Sequence, residues 1–462
     1  MHTSARALLN VSLVAVAYKA PFGFTSLVYL GPTLSVATEY VSFKYNTTMR
    51  FNLTVLSDPV RTTCADLNDN AVRMVSEWQY GQRQGNDLTV YIIPACVETT
   101  EMPYLQSQWN NIWISTMSVS PQIRNRQLYP TWIATNYFSL SQCSQLYVAL
   151  LNKYAWTSVF FVIDTASPPF YYTLASALLG DLKRDRSMSI TVRNIATTLG
   201  KPYGQFAAIL DDIRQASRIV LYFGHAAFLR EFLITAAERQ MTNGEYVYIS
   251  VETMKNKMLG LLHWRYNDSR DEIAFQAFQS LLVVHPRNIY DGPDPTLGAE
   301  FVKRSQRDYN FTYSLVDQPF ISLVDTYLAV TSISQALNDS LSAGEDPANL
   351  TGTTLVKYIL NRTFTDDNGG GTIYVDGNGQ RRADFTISYF TTGGSREPFM
   401  QKLGKSDELT EVTRLTTWAN STFPPPNEPF CGYMNQKKVC QPERKNRKPA
   451  NRHWSCFCMD HR

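Results

Sequence analysis

Long apolar runs are what this sequence most clearly lacks. No stretch of it approaches the roughly 20 consecutive apolar residues of a transmembrane helix, so we predict that the chain does not span a membrane. Charge is scarce as well, because Asp, Glu, Lys and Arg make up only 18% of the 462 residues and the formal net charge is +3. Since no strong overall field would attract a polyanion, we predict no nucleic-acid partner.

Patterns that carry catalysis or hold a metal are also missing. The six histidines are scattered, and neither a His-Glu-x-x-His motif nor a Ser/His/Asp arrangement occurs. Gly404-Lys405-Ser406 resembles the end of a P-loop, but Phe399 occupies the position of the first glycine, so the phosphate cradle is absent. We therefore predict that the chain is not an enzyme and binds no metal.

Cysteines and sequons together indicate the compartment. The seven cysteines lack the Cys-x-x-Cys spacing of a zinc or redox site, which favours disulfides in an oxidising environment. Asn-x-Ser/Thr sequons are about twice as frequent as chance predicts, and glycosylation requires a secretory route. The sequons begin at Asn10, Asn46, Asn52, Asn267, Asn310, Asn338, Asn349, Asn361 and Asn420. We predict glycans on those from Asn46 onward and an extracellular or cell-surface location.

The N-terminus allows two interpretations. Met1–Arg6 followed by an apolar run resembles a weak signal peptide with Ala15-Val16-Ala17 as its cleavage site. Alternatively, Val11–Ala17 is the first buried strand of the fold. We favour the strand, because a parallel sheet needs an apolar run at this point.

Short apolar runs recur along the chain, separated by stretches with helical periodicity. Runs that are apolar on both faces indicate strands covered on both sides, as in parallel sheets. The segments 140–155, 206–216 and 226–240 between them place apolar residues on one helical stripe. The runs are NLTVL (52–56), LTVYIIPA (88–95), IWIST (112–116), SVFFVID (158–164), RIVLYFG (218–224), YVYISV (246–251) and SLLVVHP (280–286). This alternation predicts a doubly wound, mostly parallel α/β architecture.

The pattern changes near the C-terminus. Two alternating runs in 372–390 flank Asp376-Gly377 and Asn378-Gly379, which is a hairpin signature. The Pro-rich stretch 421–433 predicts an exit linker. Basic residues concentrated in 437–452 indicate a solvated tail, the alternative being contact with a membrane surface or nucleic acid.

Several segments resemble one known family. They are LGPTLSVATEYV (30–41), LSDPVRTTC with IIPAC (56–64 and 92–96), NRTFTDDNGGGTIYVDGNGQRRADFTISYF (361–390) and PPPNEPFCGYMNQKKVC (424–440). Through them the chain, from about residue 11 to Cys440, resembles the extracellular region of natriuretic peptide receptors and receptor guanylate cyclases, within the type I periplasmic-binding-protein superfamily. The last two segments are the most specific.

The resemblance implies a two-lobed clamp whose chain crosses between lobes three times. It implies a membrane-distal lobe one of residues 1–136 and 285–340, a lobe two of 137–284 and 341–420, a Pro/Cys juxtamembrane-like linker at 421–440 and a disordered basic tail at 441–462. The hinge crossings are then expected at Pro130–Asn136, His285–Arg287 and Asp339–Ala348.

The resemblance also implies particular sites. Cys64–Cys96 and Cys431–Cys440 correspond to disulfides, which leaves Cys143 as a buried thiol. Ser57 and the backbone N–H groups of Ala95 and Cys96 correspond to a chloride-binding set. Ala95 stands where the family has glycine, and its Cβ restricts the backbone, so a plain packed turn is the alternative to a chloride site.

The family signals as a homodimer through lobe one, so Trp78–Arg83 and the helix at 31–42 are the expected interface. The alternative is that these aromatic residues only complete the core. The expected ligand is a peptide or small molecule, sensed by rearrangement of the lobes or of the dimer. In the family, a membrane span, a kinase-like domain and a cyclase domain follow. None is in this sequence, so a secreted or periplasmic-type solute-binding protein, or a soluble decoy, stays open beside the receptor.

Overall fold

The computed structural model describes residues 8–21, 25–58, 60, 63–83, 87–94, 101–116, 125–197, 203–254, 259–287, 295–313, 320–434 and 436–440. The helices are α1 (Leu27–Lys44), α2 (Cys64–Glu77), α3 (Glu101–Trp109), α4 (Leu140–Lys153), α5 (Pro169–Leu182), α6 (Tyr203–Ala216), α7 (Ala226–Glu238), α8 (Asp271–Phe278), α9 (Pro295–Tyr309), α10 (Phe320–Ser342) and α11 (Gly352–Val356). A π-helical turn, Trp78–Gln82, extends α2.

The strands form two large sheets and two small ribbons. They are β1 (Leu9–Val16), β2 (Met49–Leu56), β3 (Leu88–Ile93), β4 (Ile112–Ser115), β5 (Trp132–Ala134), β6 (Ser158–Asp164), β7 (Ser189–Ile195), β8 (Ile219–Phe223), β9 (Val247–Val251), β10 (Leu281–Pro286), β11 (Arg362–Asp366), β12 (Gly371–Val375), β13 (Phe385–Phe390), β14 (Arg396–Lys402), β15 (Thr410–Glu411), β16 (Thr417–Trp418) and β17 (Ser421–Thr422).

The first sheet has the order β2-β1-β3-β4-β5 and is parallel throughout. The second has the order β15-β14-β13-β10-β9-β8-β6-β7, in which β13, β14 and β15 are antiparallel additions to a parallel core. β1 lies between β2 and β3 in its sheet, so the strand interpretation of the N-terminal apolar run holds. The predicted fold class, a two-lobed and mostly parallel α/β architecture, is confirmed.

Each sheet is covered on both faces because its strands are apolar on both faces. Val11 and Leu13 of β1 belong to one cluster with α1 and α10, whereas Val14 and Val16 belong to another with α2. In β6, Phe161 packs on the α4/α5 side and its neighbours Phe160 and Val162 pack on the α6/α7 side. Successive side chains of a strand point to opposite faces, so unbroken apolar runs were the correct signal for these strands.

Helix α1 is held between the first sheet and the pair α9 and α10. Gly31 permits this packing, because a Cβ there would lie 2.1 Å from the hydroxyl oxygen of Tyr309 on α9. Most of α1 is therefore buried. Phe43 is an exception, with 80% of its surface exposed.

The expected boundary at residue 340 is wrong. Leu355 of α11, Phe364 of β11 and Ile373 of β12 all pack in the core of the first sheet, although residues 341–420 were assigned to lobe two. The chain enters the second sheet only at β13, which pairs with β10. The third crossing is consequently Asp376–Asp384 rather than Asp339–Ala348.

The hairpin expected in 372–390 is also wrong, although the turn inside it exists. The Gly379 N–H donates to the Asp376 carbonyl over 3.0 Å, as the Asp-Gly and Asn-Gly pairs indicate. The flanking strands then diverge, because β12 pairs with β11 in lobe one and β13 pairs with β10 and β14 in lobe two. The turn is determined by the residues within it. The sheet that each flanking strand joins is determined by the apolar core against which that strand packs.

Candidate ligand-binding cleft and hinge

The carboxyl ends of both sheets face the hinge. The first crossing leaves β5 at Ala134, and the second leaves β10 at Pro286, so both strands end where the lobes are joined. In open α/β sheets, ligands bind beyond the carboxyl ends of the strands. The cleft between the two lobes is therefore the candidate ligand site.

The first and third crossings are paired with each other. The Ala134 N–H donates to the Gly379 carbonyl over 2.8 Å, and the Arg381 N–H donates to the Ala134 carbonyl over 2.9 Å. The Gln142 side chain of α4 adds two bonds, donating to the Arg381 carbonyl over 3.0 Å and accepting the Ala383 N–H over 2.8 Å. The hinge thus consists of two extended segments joined as a short ladder.

Asp325 of α10 holds both segments to lobe one. Its carboxylate accepts the Tyr137 N–H and a guanidinium N–H of Arg381, each over 2.6 Å, and only 1% of its surface is exposed. The Arg381 guanidinium also donates to the Thr135 carbonyl over 3.1 Å. Burial raises the pKa of Asp325 to about 7, while the Arg381 charge and the Tyr137 amide act in the opposite direction.

Lobe two presents a polar network at the end of β6. The Asp164 carboxylate accepts the hydroxyls of Ser167 over 2.5 Å and of Thr197 over 2.6 Å, together with the Thr197 N–H over 3.0 Å. The Ser167 hydroxyl oxygen accepts the His225 N–H over 2.8 Å. One carboxylate thereby fixes the loops after β6, β7 and β8, which form the lobe-two rim of the cleft.

A second buried polar group lies at the ends of β9 and β10. Arg396 of β14 donates to Glu252 over 2.6 Å, and the two ring nitrogens of His285 lie 2.8 Å from the Pro286 carbonyl and 2.6 Å from the Ser388 hydroxyl. Burial, with the Arg396 charge next, holds the pKa of His285 well below its usual range, so the ring is neutral. Because the carbonyl only accepts, Nδ1 carries the hydrogen and Nε2 accepts from Ser388.

The expected chloride set is only partly described. Ser57 is exposed at the end of β2, whereas Ala95 and Cys96 lie outside the described residues. Ser57 borders a shallow depression of about 240 Å³ that also contains Asp58, Arg73 and Glu77. Arg73 pairs with Glu77 over 2.8 Å and lies 3.7 Å from Asp58.

The expected disulfides have different outcomes. Cys431 and Cys440 form a disulfide with Cα atoms 5.5 Å apart. The Cys64–Cys96 pair lies outside the described residues, because neither Cys96 nor the side chain of Cys64 is described. Cys143 is a buried free thiol on α4, and burial raises its pKa.

The predicted glycosylation positions lie at the surface. Asn338, on α10, is half-buried; the others are exposed: Asn46, Asn52, Asn267, Asn310, Asn349, Asn361 and Asn420. Surface placement is what attachment of a glycan requires, and the glycans themselves stay a prediction.

The residues of the expected dimer interface divide into core and surface. Trp78 is buried against Tyr91 in an edge-to-face contact, so for this residue the core interpretation is correct. Tyr80 is 78% exposed, and its hydroxyl oxygen accepts the indole N–H of Trp109 over 3.0 Å.

Reasoning from the sequence missed Asp325, Arg381 and Gln142. One signal existed, since Asp325 is the only charged residue of the apolar helix segment FISLVDTYLAV (320–330), and a lone charge in a buried helix needs a partner. Among the described residues there is no cluster of metal-ligating side chains, and no helix in that part of the chain has the length and hydropathy to cross a membrane.

The comparisons with known proteins agree with this architecture. The chain belongs to the receptor family ligand-binding region, whose family model matches residues 35–392. It is 20% identical over 309 residues to atrial natriuretic peptide receptor 3 of Bos taurus, covering 65% of this chain and 55% of that protein. The corresponding human protein is 21% identical over 313 residues, covering 65% and 54%.

A longer match extends to a second receptor of this group. Atrial natriuretic peptide receptor 2 of Homo sapiens is 19% identical over 428 residues, covering 89% of this chain and 39% of that protein. The chain spans about half the length of the first two curated relatives. The matched region is a ligand-binding region of receptors, so receptor-type ligand binding is the function that the family supports.

Proposed function

We propose that the chain is the extracellular ligand-binding domain of a receptor like the natriuretic peptide receptors and receptor guanylate cyclases, and that it performs no chemistry itself. A peptide or small ligand in the cleft shifts the balance between arrangements of the lobes or of two protomers. The observation that carries the proposal is the Asp325–Arg381 contact, through which one buried carboxyl group and one guanidinium join both hinge segments to lobe one. A change at the hinge then alters the angle between the lobes.

Hydrogen–deuterium exchange of the glycosylated chain tests this proposal with atrial natriuretic peptide as the probe. We expect the peptide to bind and to change the exchange of the hinge segments 134–138 and 376–384. Failure of the chain to bind atrial natriuretic peptide would contradict sensing of that peptide. Binding that leaves the exchange of both hinge segments unchanged would contradict lobe rearrangement.

Dimerisation through lobe one is supported by the surface of α2, the π-helical turn and α3. Tyr80 and Tyr104 are 78% and 54% exposed there. Aromatic side chains are enriched in protein interfaces. A signalling dimer needs only modest affinity in solution if anchoring raises the effective concentration, so we propose a dimer that forms with ligand.

Analytical ultracentrifugation with and without atrial natriuretic peptide measures this association. Tyr80→Asp places a charge in the proposed interface and should abolish the ligand-dependent dimer. Tyr172→Asp, on the exposed surface of α5 in lobe two, is the matched control and should leave the dimer intact. A wild-type chain that binds ligand and stays monomeric would indicate a soluble binding or decoy role instead.

A further inference from the structure

The Pro-rich stretch near the C-terminus is a fixed part of lobe two and not a free linker. The Asn427 side-chain oxygen accepts the N–H groups of Thr157 and Ser158 over 2.7 and 2.9 Å. The Trp156 indole donates to the Pro425 carbonyl over 3.0 Å. These contacts correct the expectation of a free exit linker.

The hairpin that precedes this stretch is fixed as well. Its strands β16 and β17 pair Trp418 with Ser421, and the turn between them is Ala419-Asn420, with φ of +43° and +70°. Asparagine adopts this left-handed conformation more readily than most residues. The buried Trp418 indole donates to the Tyr246 carbonyl over 2.9 Å. The packing of the hairpin on lobe two therefore determines the position of Asn420.

Asn420 lines a cavity of about 460 Å³ between this hairpin and the end of β13. That volume is within the range of about 300–1,000 Å³ in which small-molecule pockets fall. A hydroxyl group both donates and accepts hydrogen bonds, so the lining offers hydrogen bonding beside apolar contact. Apolar and hydroxyl-bearing residues share this lining: Tyr389, Phe390 and Leu415 with Thr391, Thr392 and Thr416.

The cavity lies at the end of lobe two that is remote from the cleft. β13 runs antiparallel to β10, and Tyr389 near the end of β13 pairs with Leu282 near the start of β10. Gln279, which precedes β10, also lines the cavity. Because the hinge lies at the carboxyl end of β10, a molecule in the cavity would leave the candidate ligand site open.

Asn420 is the asparagine of a sequon whose hydroxyl residue is Thr422. The residue is exposed, and within the described part of the chain its side chain forms no hydrogen bond. Asn349, by contrast, uses its amide nitrogen to donate to Asp346 over 2.8 Å. The amide nitrogen of Asn420 is therefore free to carry a sugar, and it carries that sugar at the wall of the cavity.

We propose that the N-linked glycan of Asn420 folds back into this cavity and becomes part of the structure of lobe two. The sugar residues next to the asparagine place apolar ring faces against Phe390 and Leu415 and hydroxyl groups beside Thr392 and Thr416. The covalent link raises the effective concentration of the sugars at the cavity, so weak contacts are sufficient to hold them. The proposal rests on the extracellular location in the proposed function, because N-glycosylation requires a secretory route.

Substitution of the sequon threonine tests the proposal in the full-length glycosylated chain. Thr422→Val removes the glycan and leaves Asn420 in place, whereas Thr422→Ser keeps a sequon. We expect Thr422→Val to increase hydrogen–deuterium exchange in 389–392 and 414–421 and to lower the melting temperature by about 2–4 °C. Thr422→Ser should behave as wild type, and binding of atrial natriuretic peptide should be unchanged in both.

Thr363→Val is the matched control. It removes the sequon of Asn361, whose φ of +55° is also left-handed and which does not line the cavity. Thr363 and Thr422 are both exposed strand residues. Thr363→Val should leave the melting temperature and the exchange of 389–392 and 414–421 unchanged. Equal effects of Thr363→Val and Thr422→Val, or no effect of Thr422→Val, would overturn the proposal.

Enzymatic release of the glycans from the folded wild-type chain gives a second measurement, which decides the matter if Thr422→Val does not fold. Peptide N-glycosidase should release the Asn420 glycan about tenfold or more slowly than the Asn361 glycan, because cleavage then requires local opening, and mass spectrometry measures both rates. Equal rates in the folded chain would overturn the proposal. A chain glycosylated at Asn361 but not at Asn420 would overturn it alone, whereas absence of glycans at every sequon would also contradict the extracellular location.

Discussion

At the scale of single residues, Asp325 is the position at which one substitution would remove contacts to both hinge segments. Its partners Tyr137 and Arg381 lie 188 and 56 positions away in sequence, so no local pattern could have paired them. The sequence did show that Asp325 is a lone acidic residue in an apolar helix. The resemblance to the receptor family paired Cys431 with Cys440, which are only nine positions apart.

The protonation of Asp325 makes the hinge sensitive to pH. The folded-state pKa of about 7 exceeds the unfolded value of about 3.9, so the folded chain binds the additional proton between these values. The contribution of this group to the free energy of unfolding therefore falls as the pH rises from about 4 to about 7. Asp325→Asn should lack this component, as measured by urea unfolding across that range. Asp367→Asn, an exposed partner of Lys44, is the control that should retain it. If the free energy of unfolding depended on pH in the same way for wild type and Asp325→Asn, the raised pKa of Asp325 would be contradicted.

The chloride prediction also concerns one residue that is described, Ser57. N–H groups that converge at a strand-to-helix turn bind small anions, and a bound anion stabilises the fold by mass action, about 1.4 kcal/mol at tenfold its dissociation constant. We expect the melting temperature to rise with chloride relative to gluconate at equal ionic strength, and Ser57→Ala to reduce this rise. Ser406→Ala, at an exposed turn of lobe two, should not. If the melting temperature did not change with chloride, the chloride site would be rejected and the plain packed turn would be the correct interpretation.

At the scale of elements, the apolar runs located the buried strands closely. The run 158–164 coincides with β6, and 218–224 encloses β8. The edge strand β7 was missed because its side chains are largely half-buried or exposed, and β5 was missed because it has only three residues. A strand that is buried on both faces can be recognised from its apolar composition. A strand at a sheet edge has no such composition and is identified only by the strand with which it pairs.

The C-terminal segment is the element whose role the sequence concealed. Proline content indicated a linker, yet Asn427 supplies hydrogen bonds that the start of β6 needs. Asn427→Ala should lower the free energy of unfolding by about 1–3 kcal/mol, because two N–H groups lose their acceptor. Asn427→Asp keeps that acceptor and loses only the donor to Thr157, so it should cost less. Equal destabilisation by the two variants, measured by urea unfolding, would show that these amides do not depend on Asn427.

At the scale of the whole molecule, the two-lobed plan was predictable and the third crossing was not. Alternating strands and helices specify a doubly wound sheet wherever they occur, but they do not say which sheet a strand joins. Residues 350–375 joined lobe one because Leu355, Phe364 and Ile373 complete its core. The candidate cleft followed from topology alone, since the chain passes between lobes at the carboxyl ends of β5 and β10.

The attachment of residues 423–430 to the second sheet also determines how the molecule would respond to mechanical force. A load applied at residue 440 reaches the fold through Asn427 and Pro425, whose partners Thr157 and Trp156 stand at the start of β6. In single-molecule pulling from the C-terminus, the first rupture should therefore be the release of this segment, before either sheet opens. While the Cys431–Cys440 disulfide is intact, the residues of its loop cannot be extended by the applied force. After reduction of the disulfide, the first unfolding step should therefore become longer, and the later steps should keep their lengths.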